Sequence, residues 1–438
     1  MKTALARLSL LAFLCLAPAA RAQSGGWGRF SLFLGGSQSR PEGGESFSSN
    51  EAIATLTVRS AEAEGSGLEY AFDGRGSTYG VEGADRRNRF SLWDAWFGGR
   101  FANGTVGVRV GQMWINDLGG LGSVGGALVE VRGKAKKGKM KLRPRFGLFG
   151  GLEPEGWEAS WVSGVRKGGA YVALDGDGGQ RHVLGFVTIR NSGLTERSVL
   201  TTTNFLPVGK TLFFYVAGEW DLARPGGVGE TGLSYALVNA RWAVSSRVEL
   251  QGLYHRGRSY DSRTLTQDQL DGRPIDPRLA EGFLYESLGG RVTVEVVRGV
   301  RLYAGYARDR GSRDDGSTGR ITAGLHVANV FRSRIDVTVS DNRIDRPDGS
   351  NYDSWYASVG RSFGGRVYVS LDYSSALSVL RFTGSDGIRV ETHPKTDRFS
   401  LNGNVNLGRS LSLLVMVERS DGDLSTDSRG TLGFAVRF

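Results

Sequence analysis

The sequence predicts an all-β fold, a transmembrane antiparallel β-barrel of about 22 strands, and three observations predict it. Glycine is abundant and aperiodic while proline is scarce, with 66 Gly and 10 Pro in 438 residues. Apolar and polar residues alternate with the period of a strand whose two faces meet different media. In the C-terminal half, short and long connections alternate, as they do where one end of a barrel has tight turns and the other has loops.

Composition removes the competing classes. Collagen needs glycine at every third position, and disorder needs few aromatics, whereas aromatics make up 10% of this chain. Past the N-terminus no apolar run approaches the ~20 residues of a membrane-spanning helix, and mean hydropathy is -0.24. Length alone suggests several domains, but a large barrel uses one closed sheet for the whole chain.

The first 22 residues read as an export signal. Lys2 and Arg7 precede an apolar stretch from Leu8 to Leu16, and Ala20-Arg21-Ala22 offers small residues where a signal peptidase reads, with cleavage before Gln23. Cys15 leaves with that segment, so residues 23–438, taken as one barrel domain, hold no thiol for disulfides, catalysis or metal. Removing Lys2, Arg7 and Arg21 from the 55 basic residues leaves 52 against 45 acidic ones, a net charge of +7.

From Trp27 onward the alternation carries the strand assignment. Leu432, Phe434, Val436 and Phe438 share one face of the last strand. Phe399, Leu401, Val405 and Leu407 oppose Ser400, Asn402, Asn404 and Asn406. Ile335, Val337 and Val339 oppose Asp336, Thr338 and Ser340, and Leu212, Phe214, Val216 and Trp220 oppose Tyr215, Glu219 and Asp221. Tight joints fall at Ser245-Ser246, Arg298-Gly299, Phe331 to Arg334, Gly364-Gly365 and Gly408-Arg409. Between them run polar stretches, Ser259–Glu281, Arg310–Ser317, Asn342–Asn351, Ser374–Thr396 and Ser420–Ser428, which read as external loops. This rhythm gives about 22 strands beginning at Trp27–Gly35, with 18 or 20 also compatible. Trp157–Gly169 and Thr195–Phe205 alternate poorly.

Two segments resemble known families. Phe438, ending an alternating apolar face, resembles the terminal strand by which Gram-negative outer-membrane barrels are recognised and assembled, and is an assembly signal by that resemblance. Leu92-Trp93-Asp94-Ala95-Trp96-Phe97 followed by Val108-Arg109-Val110-Gly111-Gln112 is similar to a strand pair of the phosphate-selective porin family. That family continues with Pro-Phe-Gly where this chain has Met113-Trp114-Ile115, so phosphate selectivity is not carried over.

Other motifs dissolve on inspection. Gly120-Leu121-Gly122-Ser123-Val124-Gly125 fits a dinucleotide fingerprint, yet no helix follows, so it reads as a turn between strands or a loop folded into the lumen. Gly360-Arg361-Ser362-Phe363-Gly364 fits a nucleophile elbow but sits at a tight joint. His182, His255, His326 and His393 lack zinc spacing, and Asp175-Gly176-Asp177-Gly178 has Phe186 where a calcium loop needs glutamate. Lys134, Lys136, Lys137, Lys139 and Lys141 read as a solvated turn. Trp27, Trp96, Trp114, Trp220, Trp242 and Trp355 suit interfacial girdles.

The function these features imply is a porin-like outer-membrane channel for passive diffusion of small polar or anionic solutes. A barrel enzyme of lipase or protease type and a structural or adhesive barrel are the alternatives. The expected lumen-lining residues are Arg109, Arg241, Arg291, Arg301, Arg320, Arg398, Glu219, Glu249, Glu295, Asp336 and Asp372. Charges of both signs on one face call for a hydrated interior. No catalytic, cofactor or metal site is expected. The expected partners are outer-membrane lipids, lipopolysaccharide, the barrel-assembly machinery and small solutes, with homo-oligomers compatible and nucleic acid excluded.

Overall fold

The computed structural model describes residues 26–61, 65–134, 142–155, 158–227, 231–383 and 389–438. The export segment and Lys136, Lys137, Lys139 and Lys141 therefore lie outside the described residues. The first half of the wall comprises β1 (Trp27–Pro41), β2 (Phe47–Arg59), β3 (Gly67–Val81), β4 (Arg87–Phe101), β5 (Val106–Trp114), β6 (Ser123–Arg132), β7 (Arg143–Pro154), β8 (Trp161–Asp175), β9 (Arg181–Asn191), β10 (Leu194–Val208) and β11 (Leu212–Ala223). The second half comprises β12 (Gly232–Ala243), β13 (Val248–Ser259), β14 (Phe283–Val297), β15 (Val300–Gly311), β16 (Thr318–Val327), β17 (Ile335–Asp345), β18 (Asn351–Phe363), β19 (Val367–Thr383), β21 (Lys395–Asn406), β22 (Leu411–Gly422) and β23 (Ser425–Arg437). A short β20 (Arg389–Thr392) pairs, among the described residues, with the end of β19 and stands outside the ring. Two helices, α1 (Ser262–Leu270) and α2 (Pro277–Glu281), lie between β13 and β14.

Each strand pairs antiparallel with its neighbour, and β1 pairs with both β2 and β23, so the sheet closes as a 22-strand barrel. Closure removes the unpaired edges of an open sheet. At the seam, Phe30 lies opposite Val436, Leu32 opposite Phe434 and Leu34 opposite Leu432, with the Phe30 and Phe434 rings 5.8 Å apart. Phe438 extends the seam: its N–H donates to Gly28 O at 3.0 Å and its carbonyl accepts from Gly28 N–H at 2.7 Å. Its ring occupies the space where a Cβ on Gly28 would sit, which makes glycine the residue that fits there.

The register divides the side chains into two sets. One set is apolar and runs round the outside, as in Leu302, Ala304 and Tyr306 of β15 or Leu413, Val415 and Val417 of β22. The other set faces the interior, where residues reach one another across intervening strands: Tyr171 Oη on β8 donates to Glu130 on β6 at 2.7 Å, over β7.

The five tight joints foreseen in the C-terminal half all fall at the end of the barrel that carries both termini. Gly364 and Gly365 supply positive φ at one of them (57° and 70°). The polar stretches at the opposite end are shorter as loops than expected. Asn342–Asp345, Ser374–Thr383 and Ser425–Ser428 belong to strands, and residues 346–350 and 423–424 suffice as connections there. Strands that rise beyond the apolar band are wet on both faces, so alternation fades while the ladder continues. In the N-terminal half the asymmetry fails, because residues 192–193 alone join β9 to β10 at the far end.

β8 and β10 alternate poorly for a related reason: the interior is partly apolar there, with Val165, Val187 and Val199 almost completely buried. The tryptophans also divide. Trp220, Trp242 and Trp355 belong to the outward set near strand ends, as does the unforeseen Trp161, which lies against Gly125, whereas Trp27 lies across from Arg59 on the inward register, a correction to its girdle assignment. Trp96 and Trp114 instead border an interior cavity, a correction to the girdle assignment.

The outward position of Val337 and inward position of Thr338 set a test. A cation on the lipid face costs ~2–4 kcal/mol at mid-bilayer and less towards the interfaces. Val337→Arg is expected to lower the yield of heat-modifiable barrel well below that of Thr338→Arg; equal mobility shifts on gels would contradict the register.

Candidate functional site

The interior is lined unevenly, and the asymmetry starts with one connection. Between β5 and β6 the chain does not project outward. Residues Asn116–Leu121 form a 3-10 turn, closed by Ile115 N–H to Gly122 O at 2.9 Å, and the turn folds inward against β8, β9 and β10. Gly119 takes φ 56°, ψ -132°, a conformation that suits glycine. Leu118 is fully buried against Gly185, where a Cβ would come within 2.4 Å of it. Met113, Leu121, Val124, Leu128, Phe149, Tyr171, Val187 and Val199 complete an apolar cluster between this segment and the wall. The glycine-rich motif is thus an inward-folded loop, the second of its two sequence readings.

A charged network clamps the same segment. Asp117, at its start, accepts from Arg145 at 2.8 Å and from Arg181. Arg145 also donates to Glu130 at 2.9 Å and to Asp175. Glu130 receives Arg132 at 2.7 Å and the Tyr171 hydroxyl. Glu69 pairs with Arg100 at 2.7 Å and with Arg109 at 3.2 Å, and Arg109 lies 4.6 Å over the Trp96 ring. The side chains of Arg100, Arg145, Asp117 and Glu130 are all less than a tenth exposed. Burial of this kind is tolerated only because each charge meets an opposite one. Beside the network lies a cavity of about 300 Å³ bordered by Arg59, Trp96, Arg109, Trp114, Asp117 and Tyr171.

A second segment narrows the far mouth. The β13–β14 connection bends over the interior, and α1 packs on β10 and on Pro225–Gly227. Asp261 caps α1 by accepting from Thr264 N–H at 3.0 Å and from the Thr264 hydroxyl, and these bonds hold its carboxyl below the usual range. Buried Glu196 receives Arg263, while Asp221 gathers Arg197, Arg224 and Tyr260.

The eleven residues foreseen as lumen-lining all lie on the inward register, but they do not form one site. Glu219 belongs to the mouth cluster through Arg197, at 2.9 Å. Arg241 pairs with Glu249 at 2.6 Å, Arg320 with Asp309, and Arg398 with Glu418. Arg291 stacks over Tyr303 at 4.0 Å, and Arg301 lies directly across from Glu295. Glu295 accepts from Gly299 N–H at 2.9 Å, and Asp336 from Asn329 N–H at 2.9 Å. Asp372 is surrounded by neutral donors: Tyr356, Ser358, Ser370, Ser400 and Asn402.

Arg291, Arg301 and Arg320 sit on adjacent strands, yet Arg291 and Arg320 lie across from Gly305 and Ala307 of β15. They are staggered over six residues, roughly 20 Å at strand rise, so they form a diagonal and not a ring. Sequence reasoning missed Glu69, Asp117, Glu130, Arg145 and Arg181. Alternating charges on β6, β7 and β9 were the available signal, whereas nothing local marks Asp117 as inward. Among the described residues no three His, Cys, Asp or Glu side chains group as a metal site.

No family model and no curated protein matches the chain. Among solved structures it is similar to the P pilus usher (PapC) translocation pore, with 13% identity, a TM-score of 0.46, and 93% of this chain and 99% of that chain covered. It is also similar to Pseudomonas aeruginosa OpdQ (9% identity, TM-score 0.43, 94% and 98% covered) and to the outer membrane protein OprD from Pseudomonas aeruginosa (9%, 0.42, 96% and 96%). Likeness at this level assigns no activity. The local resemblance of the β4–β5 pair to phosphate-selective porins gains no support from it.

The clamp makes a quantitative expectation. Arg145→Ala leaves Asp117, Glu130 and Asp175 without their shared cation, and breaking buried pairs costs ~3–5 kcal/mol, here at the lower end because Arg181 and Arg132 remain. Hydrogen exchange across residues 116–121 should accelerate in this variant, while the amides of β17 and β18 keep their protection. Uniform protection in both regions would show that the network does not hold the segment.

Proposed function

We propose that this chain is a porin-like channel of an outer membrane, passing small polar solutes passively. One observation carries the reading: a closed ring with an apolar outer band encloses an interior whose β12–β23 side presents charged and hydroxyl side chains that no folded-in segment covers among the described residues. Such a surface suits a water-filled lumen. The inward segment and α1 both lie on the β4–β11 side, so they narrow the passage without spanning it.

Solutes in this reading move along the β12–β23 wall, past Arg241, Arg291, Arg301, Asp336 and Asp372. Most lumen charges are paired, which weakens any ionic preference drawn from the net charge. Among the described residues Arg291 and Arg301 meet no carboxylate within ion-pair distance, and they are the wall arginines on this side whose charge bears on anion preference. A constriction charge acts over a Debye length of about 8 Å in physiological salt. The double variant Arg291→Glu/Arg301→Glu is expected to move the zero-current potential in a salt gradient towards cations, while Arg398→Gln, which only unpairs Glu418, moves it less. An unmoved potential in the double variant would take these arginines out of the conducting path, and absence of conductance from well-folded barrel would leave the structural or adhesive reading. Lipase or protease activity of the same preparation would instead support the enzyme alternative.

Phe438 acts as the assembly signal in this reading, supported by its two backbone bonds to Gly28 and its place at the seam. Deleting it is expected to reduce folded barrel in the outer membrane several-fold at unchanged synthesis, measured by surface-resistant, heat-modifiable protein; an unchanged yield would count against both the signal and the location.

A further inference from the structure

A collar of outward charges marks the upper limit of the apolar band. It stands eight residues, roughly 26 Å of strand, from a level near the terminal-bearing ends: Arg256 on β13, Glu286 on β14, Arg308 on β15 and Arg419 on β22 count from Val248, its partner Val294, Val300 and Leu411. Most of these charges are neutralised locally. Arg256 sits directly opposite Glu286 and bonds to it at 2.9 Å, Arg419 pairs with Asp421, and Arg308 donates to Ser317 at 2.7 Å.

β8 and β9 break this pattern. Counting eight residues from Leu174 and His182 leads to Arg166 and Arg190, which face each other directly across the ladder. Both are exposed, and among the described residues neither meets a carboxylate. The outward neighbours on either side are neutral, Leu152 on β7 and Thr195 on β10. Below them the outward face becomes apolar through Ala170, Phe186, Val172 and Leu184. Like charges directly opposite destabilise a sheet, and two guanidiniums side by side match the oxygens of one phosphate.

We propose that Arg166 and Arg190 bind a phosphate of the phosphorylated glycolipid in the outer leaflet, with its acyl chains along the apolar face of β8 and β9. The proposal rests on the outer-membrane reading, which puts the end opposite both termini in that leaflet. The acyl chains would supply the contact that a free phosphate lacks, and the phosphate removes the repulsion that the bare pair carries.

The test uses full-length barrel in mild detergent, titrated with bisphosphorylated lipid A and followed by native mass spectrometry. The expected result is one tightly held lipid, at least tenfold weaker binding in Arg166→Gln/Arg190→Gln, and near-normal binding in Arg166→Lys/Arg190→Lys and in Arg256→Gln. Equal retention by the glutamine variant, in barrel shown intact by its heat-modifiability, overturns the site alone. Equal retention of phosphatidylglycerol or of fully dephosphorylated lipid A overturns the choice of ligand. Failure of the wild-type chain to form barrel in lipid vesicles overturns the membrane reading, and the site with it.

Discussion

A backbone in an apolar medium must satisfy its own N–H and C=O groups, and this requirement governs the rest of the structure. Twenty-one of the pairings in the ring are between consecutive ring strands and form locally. The remaining one joins β1 to β23 across almost the whole chain. The contacts concentrated at that seam follow from this: paired apolar side chains, an aromatic contact, and a last residue whose backbone extends the ladder onto Gly28. Every other pairing joins successive strands of the ring, so the largest loop-closure cost falls on this one joint.

The same requirement explains where the sequence was readable. β17, β21 and β23 carry an apolar face outside and polar groups inside, so their alternation reports their register directly. β8 and β10 carry an apolar face outside and meet a folded-in apolar segment inside, which erases the contrast on which a period-two reading depends. The strand extensions after Ser340 and before Arg429 were invisible for the opposite reason, since water on both faces leaves only backbone pairing to hold them extended. Arg241, Arg291 and Asp372 could be placed on the inner face by parity alone. Asp117 could not, because its position depends on a turn whose partners, Arg145 and Arg181, are distant in sequence.

Electrostatics follows the packing. On the β4–β11 side, where folded-in segments cover the wall, buried charges gather in paired clusters, in one of which Arg145 serves three carboxylates. On the β12–β23 side the wall is open, and among the described residues Asp372 meets no cation and is held by hydroxyls and one amide. The two sides use similar residue types to different ends, one to lock a segment and the other to present a wet surface.

The inward segment also has a mechanical consequence. Every residue of the large buried apolar cluster falls between Met113 and Val199, so one arc of the wall is two layers thick and the other is a single sheet. Bending stiffness rises steeply with thickness. A lateral load on the wall would therefore be taken up by flexing β12–β23 and leave the reinforced arc almost undeformed, so that any change of bore falls on one side.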